Sequence, residues 1–160
     1  MNKNKIKKLI LDLHYEKPFN VQKKAIKKLS KLNIEDIKYL IMPNNYKCWE
    51  NAALVLLNIN NEKLKYYIND LFNWIEDINW PGAKNILLIL KDFDFKDIEK
   101  KINNIIINSI KERDDIKLFA IQELLNRRKD SYDLYNKLIQ KIIKMDINYN
   151  WEILEKLIKI

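Results

Sequence analysis

Residues 71–83 read Leu-Phe-Asn-Trp-Ile-Glu-Asp-Ile-Asn-Trp-Pro-Gly-Ala, and Ala83 is followed one helical turn later by Leu87. Apolar residues that recur at i, i+3 and i+4 on both sides of this stretch are typical of helices that bury one face. We expect Pro81 in the first turn of the second helix, where its missing N–H is harmless. The stretch therefore predicts two helices joined by a tight turn.

The pattern Ala-x-x-x-Leu recurs along the chain. Its copies begin at Ala25, Ala52, Ala83 and Ala120. The copies are spaced 27, 31 and 37 residues apart, and Trp49 and Trp80 precede their alanines by the same three positions. A small residue lets two helices approach closely while leucines one turn on fill the shared core. A second helix fits between successive copies, so the repeating unit is a pair of helices. Such a repeat predicts an all-α solenoid, and an irregular helix bundle is the alternative.

Helical spacing of apolar residues covers most of the remaining chain. The apolar stripes of the predicted helices cover 6–13, 21–32, 34–41, 49–57, 64–75, 83–90, 95–110, 120–125, 134–142 and 151–158. The β-branched residues 105–107 favour a strand by themselves, but the helical period around them favours a helix. We expect one helical-repeat domain over 1–160, with an N-terminal basic helix over 1–19, helix pairs over 20–145 and a terminal capping helix over 150–160.

Several polar residues precede these helices at N-cap positions. The predicted caps are Asn20, Asp114 or Asp115, Asp130 or Ser131, and Asn150. Asp77 and Asn79 are expected to accept the N–H groups just after them and to cap the helix that Pro81 opens.

The motif around Trp74 also resembles a known family signature. The stretch is similar to the Trp-Leu-x-Asp-x-Asn-Trp-Pro-x-Ala signature of a bacterial family known as domain of unknown function 5071, whose members resemble HEAT-type helical repeats. The matching residues are Trp74, Asp77, Asn79, Trp80, Pro81 and Ala83. The resemblance extends over residues 20–128 through a Trp-Glu-Asn segment at 49–51 and a paired-acid turn at 114–115. It implies a fold alone, a HEAT-like α-solenoid of about four helix pairs with a right-handed superhelix.

The same segments supply the candidate partner-binding residues. These are Trp49, Glu50, Trp74, Asp77, Asn79 and Trp80. Indoles and polar side chains that converge within a few residues could form a ligand pocket. The alternative is corner packing between helix pairs, with Asp77 and Asn79 as caps, and we favour it.

Positive charge is concentrated at one end of the chain. Residues 1–31 hold ten Lys against Asp12 and Glu16, whereas residues 32–160 hold 20 basic and 20 acidic side chains. A candidate basic patch opposite an apolar stripe contains Lys23, Lys24, Lys27, Lys28 and Lys31. Such a stripe is usually a solvated helix face, but it could also contact phosphates. Part of the lysine excess reflects base composition, since 27 Ile, 27 Lys and 21 Asn all have codons rich in A and T.

Composition excludes several classes of site. A single Gly excludes a Gly-rich phosphate loop, and one Cys with one His excludes a closed zinc site and an internal disulfide. Cys48 would need His14 as a base to act as a nucleophile, and nothing in the sequence suggests that arrangement. A carboxylate enzyme is a minor alternative, based on Glu50, Glu76, Asp77, Asp114 and Asp115. We expect no catalytic residues, no cofactor, no metal, no membrane partner and a cytoplasmic location.

The sequence thus indicates a non-enzymatic protein-binding or scaffold module, whose partner is another protein held on the concave surface of a solenoid. The alternative is a nucleic-acid-binding HEAT-like protein, related by fold to repair enzymes, that uses the basic N-terminal end together with Arg127-Arg128-Lys129.

Overall fold

The computed structural model describes residues 1–128, which form α-helices, short 3₁₀ helices and loops, with no strand in this range. The α-helices are α1 (Lys3–Leu11), α2 (Phe19–Leu29), α3 (Trp49–Leu57), α4 (Asn61–Leu64), α5 (Ile68–Trp74), α6 (Ala83–Leu90), α7 (Phe95–Glu112) and α8 (Asp115–Asn126). The 3₁₀ helices are Ile34–Tyr39, Tyr46–Cys48 and Lys65–Tyr67. The prediction of an all-α protein is confirmed, and residues 105–107 are helical within α7.

Two predicted helix starts were wrong. The second helix begins at Phe19, because the Pro18 carbonyl already accepts the N–H groups of Val21 and Gln22, so Asn20 lies inside the helix. The helix after the tryptophan motif begins at Ala83, and Pro81 lies in the preceding turn rather than in the helix.

Two predicted helices are also less regular than their spacing suggested. Residues 34–39 form a 3₁₀ helix, with the Leu40 N–H bonded three residues back to Ile37. The segment predicted as one helix over 64–75 divides into α4, a 3₁₀ turn and α5. Tyr67 has φ −117° and ψ 15°, outside the helical region, and its hydroxyl donates to the Ile34 carbonyl at 2.6 Å. The Asp114 cap is confirmed, since its carboxylate accepts the Lys117 N–H at 3.0 Å.

The repeated alanines lie in the core. Ala25, Ala52, Ala83 and Ala120 are all buried. The helices that carry them contact one another in series, α2 on α3, α3 on α6 and α6 on α8, while α1 packs on α2 and α7 on α8. Small side chains at these positions allow the backbones to approach.

Several sequence predictions lie outside the described residues. They are the helices over 134–142 and 151–158, the capping helix over 150–160, the caps Asp130, Ser131 and Asn150, and Lys129 of the basic triplet. Within residues 1–128, no helix is both long and apolar enough to cross a membrane.

Candidate functional site

Three tryptophans, Trp49, Trp74 and Trp80, meet where α3, α5 and α6 converge, and we call this group the tryptophan corner. The Trp49 ring lies edge-on to Trp74 and Trp80, with centroids 5.9 and 5.8 Å apart. Trp74 is fully buried, and its indole N–H donates to the Pro81 carbonyl at 3.0 Å. Because Trp74 is buried and bonds internally, and the half-buried Trp49 and Trp80 pack against the hydrophobic core, the corner has the character of core packing.

The turn at Gly82 closes the tryptophan corner. Asp77 accepts the Asn79 N–H at 2.8 Å, as predicted, and so fixes the start of the turn. Gly82 has φ +83°, and a Cβ there would lie 2.7 Å from the Cβ of Ala53 and 2.9 Å from the Trp49 carbonyl oxygen. Only glycine permits this approach of the turn to α3.

Glu50 caps α6 from a neighbouring helix. Its carboxylate accepts the Gly82 N–H and the Asn85 side-chain amide, both at 2.7 Å. A negative charge is favoured at a helix N-terminus, where backbone N–H groups lack partners. Asp77 and Asn79 were predicted to cap this helix, but Glu50 supplies the side-chain acceptor for the Gly82 N–H. The family resemblance includes both the Trp-Glu-Asn segment and the proline motif, but it did not predict a contact between them.

Arg128 occupies the opposite end of α6. Its guanidinium donates to the carbonyls of Lys91 and Phe93, both at 2.9 Å, and lies 5.5 Å from the Phe95 ring centroid. A positive charge is favoured at a helix C-terminus. Arg128 is 8% exposed, and Arg127 is paired with Glu123 at 2.9 Å, so these two members of the predicted basic triplet have partners within the protein.

The predicted basic patch lies in solvent. Lys23, Lys24, Lys27, Lys28 and Lys31 are exposed, on α2 or just after it. None of the five pairs with a carboxylate in residues 1–128. They form a charged surface, and the tryptophan corner uses none of them.

The candidate nucleophile Cys48 is buried, and the candidate carboxylates Asp114 and Glu76 form ion pairs. Cys48 is buried, and burial raises the pKa of its thiol, which disfavours the reactive thiolate. His14 Nδ1 accepts the Glu16 N–H at 3.2 Å. Lys117 lies between Asp114 and Glu76, at 3.3 and 3.8 Å. Residues 1–128 contain no group of three or more His, Cys, Asp or Glu side chains that could hold a metal ion.

A groove of about 370 Å³ lies between α1 and the segment 38–45, and we call it the basic groove. Its lining consists of Lys7, Ile10, Leu11, Lys38, Tyr39, Ile41, Met42, Pro43, Asn44 and Asn45. Apolar side chains predominate, and both charged members are lysines. Its volume lies in the range of ligand-binding clefts.

One wall of the basic groove is a single face of α1. Lys7, Ile10 and Leu11 follow one another at helical spacing, and Leu11 is 58% exposed. Lys3 lies one turn before Lys7 on the same face. The ammonium groups of Lys3 and Lys38 lie 5.8 and 5.5 Å from the Tyr39 ring centroid, where the ring attracts a cation.

The other wall of the groove is a constrained loop. Met42 has φ +41°, which is uncommon for a residue with a side chain and marks a tightly turning, strained backbone. The next residue, Pro43, accepts the Trp49 indole N–H at 2.6 Å. Trp49 thus connects the tryptophan corner to the basic groove and holds the loop in place.

Exposed aromatic residues lie beside this loop. Tyr15 and Tyr46 are both exposed, and the Tyr15 N–H donates to the Lys47 carbonyl at 3.2 Å. The Lys47 ammonium donates to the Glu16 carboxylate at 2.7 Å, which raises the pKa of Lys47 and lowers that of Glu16. The groove was not predicted from the sequence, because its lysine, isoleucine and asparagine residues are the commonest types in this chain.

Comparison with known proteins gives one match. A family model described as "Domain of unknown function (DUF5071)" matches residues 44–146. No curated protein and no solved structure matches the chain.

Proposed function

The chain belongs to the DUF5071 family of unknown function, and we propose that it is a non-enzymatic module that binds another protein through the basic groove. The observation that carries this proposal is the groove itself, an apolar surface cleft with lysines on both walls. Apolar and aromatic residues at the centre of a contact with charged residues around it are typical of protein-binding surfaces.

The residues in and beside the groove are suited to contact with a partner. Leu11, Tyr15 and Tyr46 expose large side chains on neighbouring segments of the surface. Tyrosine is among the residue types that contribute most to binding energy at interfaces. Met42 adds a flexible, polarisable side chain that adapts to the shape of an apolar partner.

We also propose that the helices form a HEAT-like α-solenoid of about four helix pairs with a right-handed superhelix. The serial contacts of α2, α3, α6 and α8, each with a buried alanine of the repeated pattern, support this arrangement. We also propose a cytoplasmic location, with which a single, free cysteine agrees.

Site-specific photocrosslinking tests the protein-binding function. A benzophenone amino acid replaces Tyr39 in the groove or, as a control, Tyr66, which is 75% exposed elsewhere. After irradiation in native cells, we expect one protein adduct from position 39 that is absent from position 66. The adduct should disappear with Leu11→Asp and persist with Ile116→Asp, because Ile116 on α8 is similarly exposed, at 55%. Equal adducts at both positions, or no effect of Leu11→Asp, would contradict the proposal.

Nucleic-acid binding remains the second candidate, favoured by the five lysines of the basic patch, which are exposed and form no ion pair within residues 1–128. Titration against duplex and single-stranded DNA at two salt concentrations tests it. Phosphate contacts would make the affinity fall steeply with salt, and the substitution of Lys23, Lys24, Lys27 and Lys28 by Glu would abolish it. Binding that is absent, or that is insensitive to both changes, would exclude this candidate.

A further inference from the structure

We propose that the basic groove recognises an acidic amphipathic peptide segment, whose carboxylates meet the lysine end of the groove and whose apolar side chains enter beside Leu11 and Met42. This inference rests on the proposed protein-binding function and names the chemistry of the partner.

Charge complementarity is the first argument for an acidic partner. Lys7 and Lys38 line opposite walls, Lys3 lies at the same end, and no carboxylate is among the lining residues. None of these three lysines pairs with an acidic side chain within residues 1–128. Helix α1, which forms one wall, carries four lysines and no acidic residue, and this charge draws an acidic partner toward the groove.

The order of residues along α1 sets the pattern of the ligand. Lys3 and Lys7 occupy successive turns of one face, and Ile10 and Leu11 occupy the next turn of that face. A helix rises 1.5 Å per residue, so the wall extends for about 12 Å from Lys3 to Leu11. A complementary peptide therefore has one or two acidic residues followed, within about two helical turns, by large apolar residues.

The open shape of the groove favours a peptide over a small amphiphile. Small-molecule sites enclose most of the surface of their ligand. Here Leu11 remains more than half exposed, and exposed Tyr15 and Tyr46 lie on the segments next to the groove. The surface can therefore cover one face of an extended or helical segment and leave its other face in solvent.

Selection from a displayed library of random peptides tests the inference, with peptides about twelve residues long so that even a helical ligand, at about 18 Å, exceeds the length of the wall. The full chain is immobilised, and enriched peptides are synthesised with a fluorophore for anisotropy titration. We expect enriched sequences with Asp or Glu before a pair of large apolar residues. Because the carboxylate contacts are exposed, their affinity should fall when NaCl rises from about 50 to about 300 mM.

Two charge-reversal variants separate the groove from general electrostatics. Lys7→Glu with Lys38→Glu should weaken a selected peptide at least about tenfold, since two attractive pairs become repulsive. Lys23→Glu with Lys24→Glu makes the same change in net charge on α2 and should leave the affinity within about twofold. A peptide with its acids changed to lysine should recover binding to the Lys7→Glu, Lys38→Glu variant. The Lys7→Gln, Lys38→Gln variant should show a loss of peptide affinity between those of the wild type and the charge-reversal variant. Circular dichroism confirms that each variant is folded.

The outcomes separate this inference from the function on which it rests. Two outcomes would overturn the acidic specificity and leave the protein-binding function in place. In the first, the selected peptides require Leu11 but contain no acidic residues. In the second, their affinity changes equally in the two charge-reversal variants. A selection that yields no binder sensitive to Leu11→Asp would overturn both. Dodecanoate that displaces the peptide at concentrations below the Kd of the peptide would assign the groove to a small amphiphile instead.

Discussion

The tryptophan corner and the basic groove differ in how completely their polar groups are used within the protein. At the corner, the Trp74 indole, the Glu50 carboxylate and the Gly82 N–H all have partners, and Gly82 leaves no space for a Cβ. At the groove, lysines on both walls lack carboxylate partners within residues 1–128, and Leu11 is exposed. The most distinctive sequence thus occurs where the helices pack most closely, and the surface suited to a partner is made of common residues.

Helix α6 shows how the corner contributes to stability. Glu50 accepts hydrogen bonds at its N-terminus, and Arg128 donates to carbonyls at its C-terminus. Each charge has the sign that the helix dipole favours. An eight-residue helix has little stability of its own, so these contacts and its packing on α3 and α8 hold it in place.

The largest expected effect is at Gly82. Gly82→Ala should lower the free energy of unfolding by about 3 kcal/mol, because the new Cβ clashes with Ala53 and the Trp49 carbonyl and the backbone is left-handed. Urea denaturation measures the change. Leu11→Asp in the groove is the comparison and should change stability by less than about 0.5 kcal/mol. Equal losses for the two variants would remove the distinction between the regions.

Arg128→Ala should destabilise the protein by about 2 kcal/mol, because the carbonyls of Lys91 and Phe93 lose their charged donor in a buried setting. Arg127→Ala is the matched control, since a surface ion pair such as that of Arg127 with Glu123 is worth about 0.5 kcal/mol. Thermal unfolding of both variants provides the measurement. A cost at Arg127 as large as that at Arg128 would show that Arg128 has no special role.

Glu50→Ala should cost about 1 kcal/mol, since the Gly82 N–H loses its acceptor and α6 loses a favourable charge at its N-terminus. Glu50→Gln should cost less, because an amide oxygen can still accept one hydrogen bond. Glu35→Ala, at an exposed position in the first turn of a 3₁₀ helix, should have little effect in the same denaturation experiment. A loss of stability in Glu50→Ala no larger than that in Glu35→Ala would contradict the proposal that Glu50 caps α6.

The smallest effect is a gain in stability away from both regions. Arg113 ends α7 with φ +57°, and the Asp114 N–H bonds back to the Ser109 carbonyl at 2.8 Å. This is the backbone geometry of a helix end that usually holds glycine. Arg113→Gly should therefore stabilise the protein by about 0.5 to 1 kcal/mol, whereas Arg113→Ala keeps the strain and should give no gain. A higher denaturation midpoint for Arg113→Ala than for Arg113→Gly would contradict this interpretation of the helix end.

Much of the fold could be predicted from apolar spacing, since Ala52, Ala83 and Ala120 mark helices and each of these small residues is buried. The helical period also correctly assigned residues 105–107, against their β-branched preference. Apolar spacing could not show that the helix is interrupted at Tyr67. The non-helical backbone at Tyr67 goes together with a hydrogen bond from its hydroxyl to the Ile34 carbonyl, which lies in a distant segment of the sequence.

The candidate sites were harder to predict than the fold. The contact between Glu50 and Gly82 joins residues 32 positions apart, which no local pattern reveals. No feature of the sequence distinguishes Lys7 and Lys38 from the other lysines of this lysine-rich chain. The packing of α1 beside residues 38–45 brings them to one groove. Periodicity identifies which face of a helix is buried, but not which exposed side chains meet across two segments.

The central claim is that a partner binds at the basic groove and not at the tryptophan corner, and amide and indole NMR signals test it most directly. On titration with a selected acidic peptide, the backbone signals of Leu11 and Met42 should shift most. The Trp49 indole, which bonds to Pro43 under the groove, should shift less, and the Trp74 and Trp80 indoles should not move. Larger shifts of the Trp74 and Trp80 indoles than of Leu11 and Met42 would contradict the account.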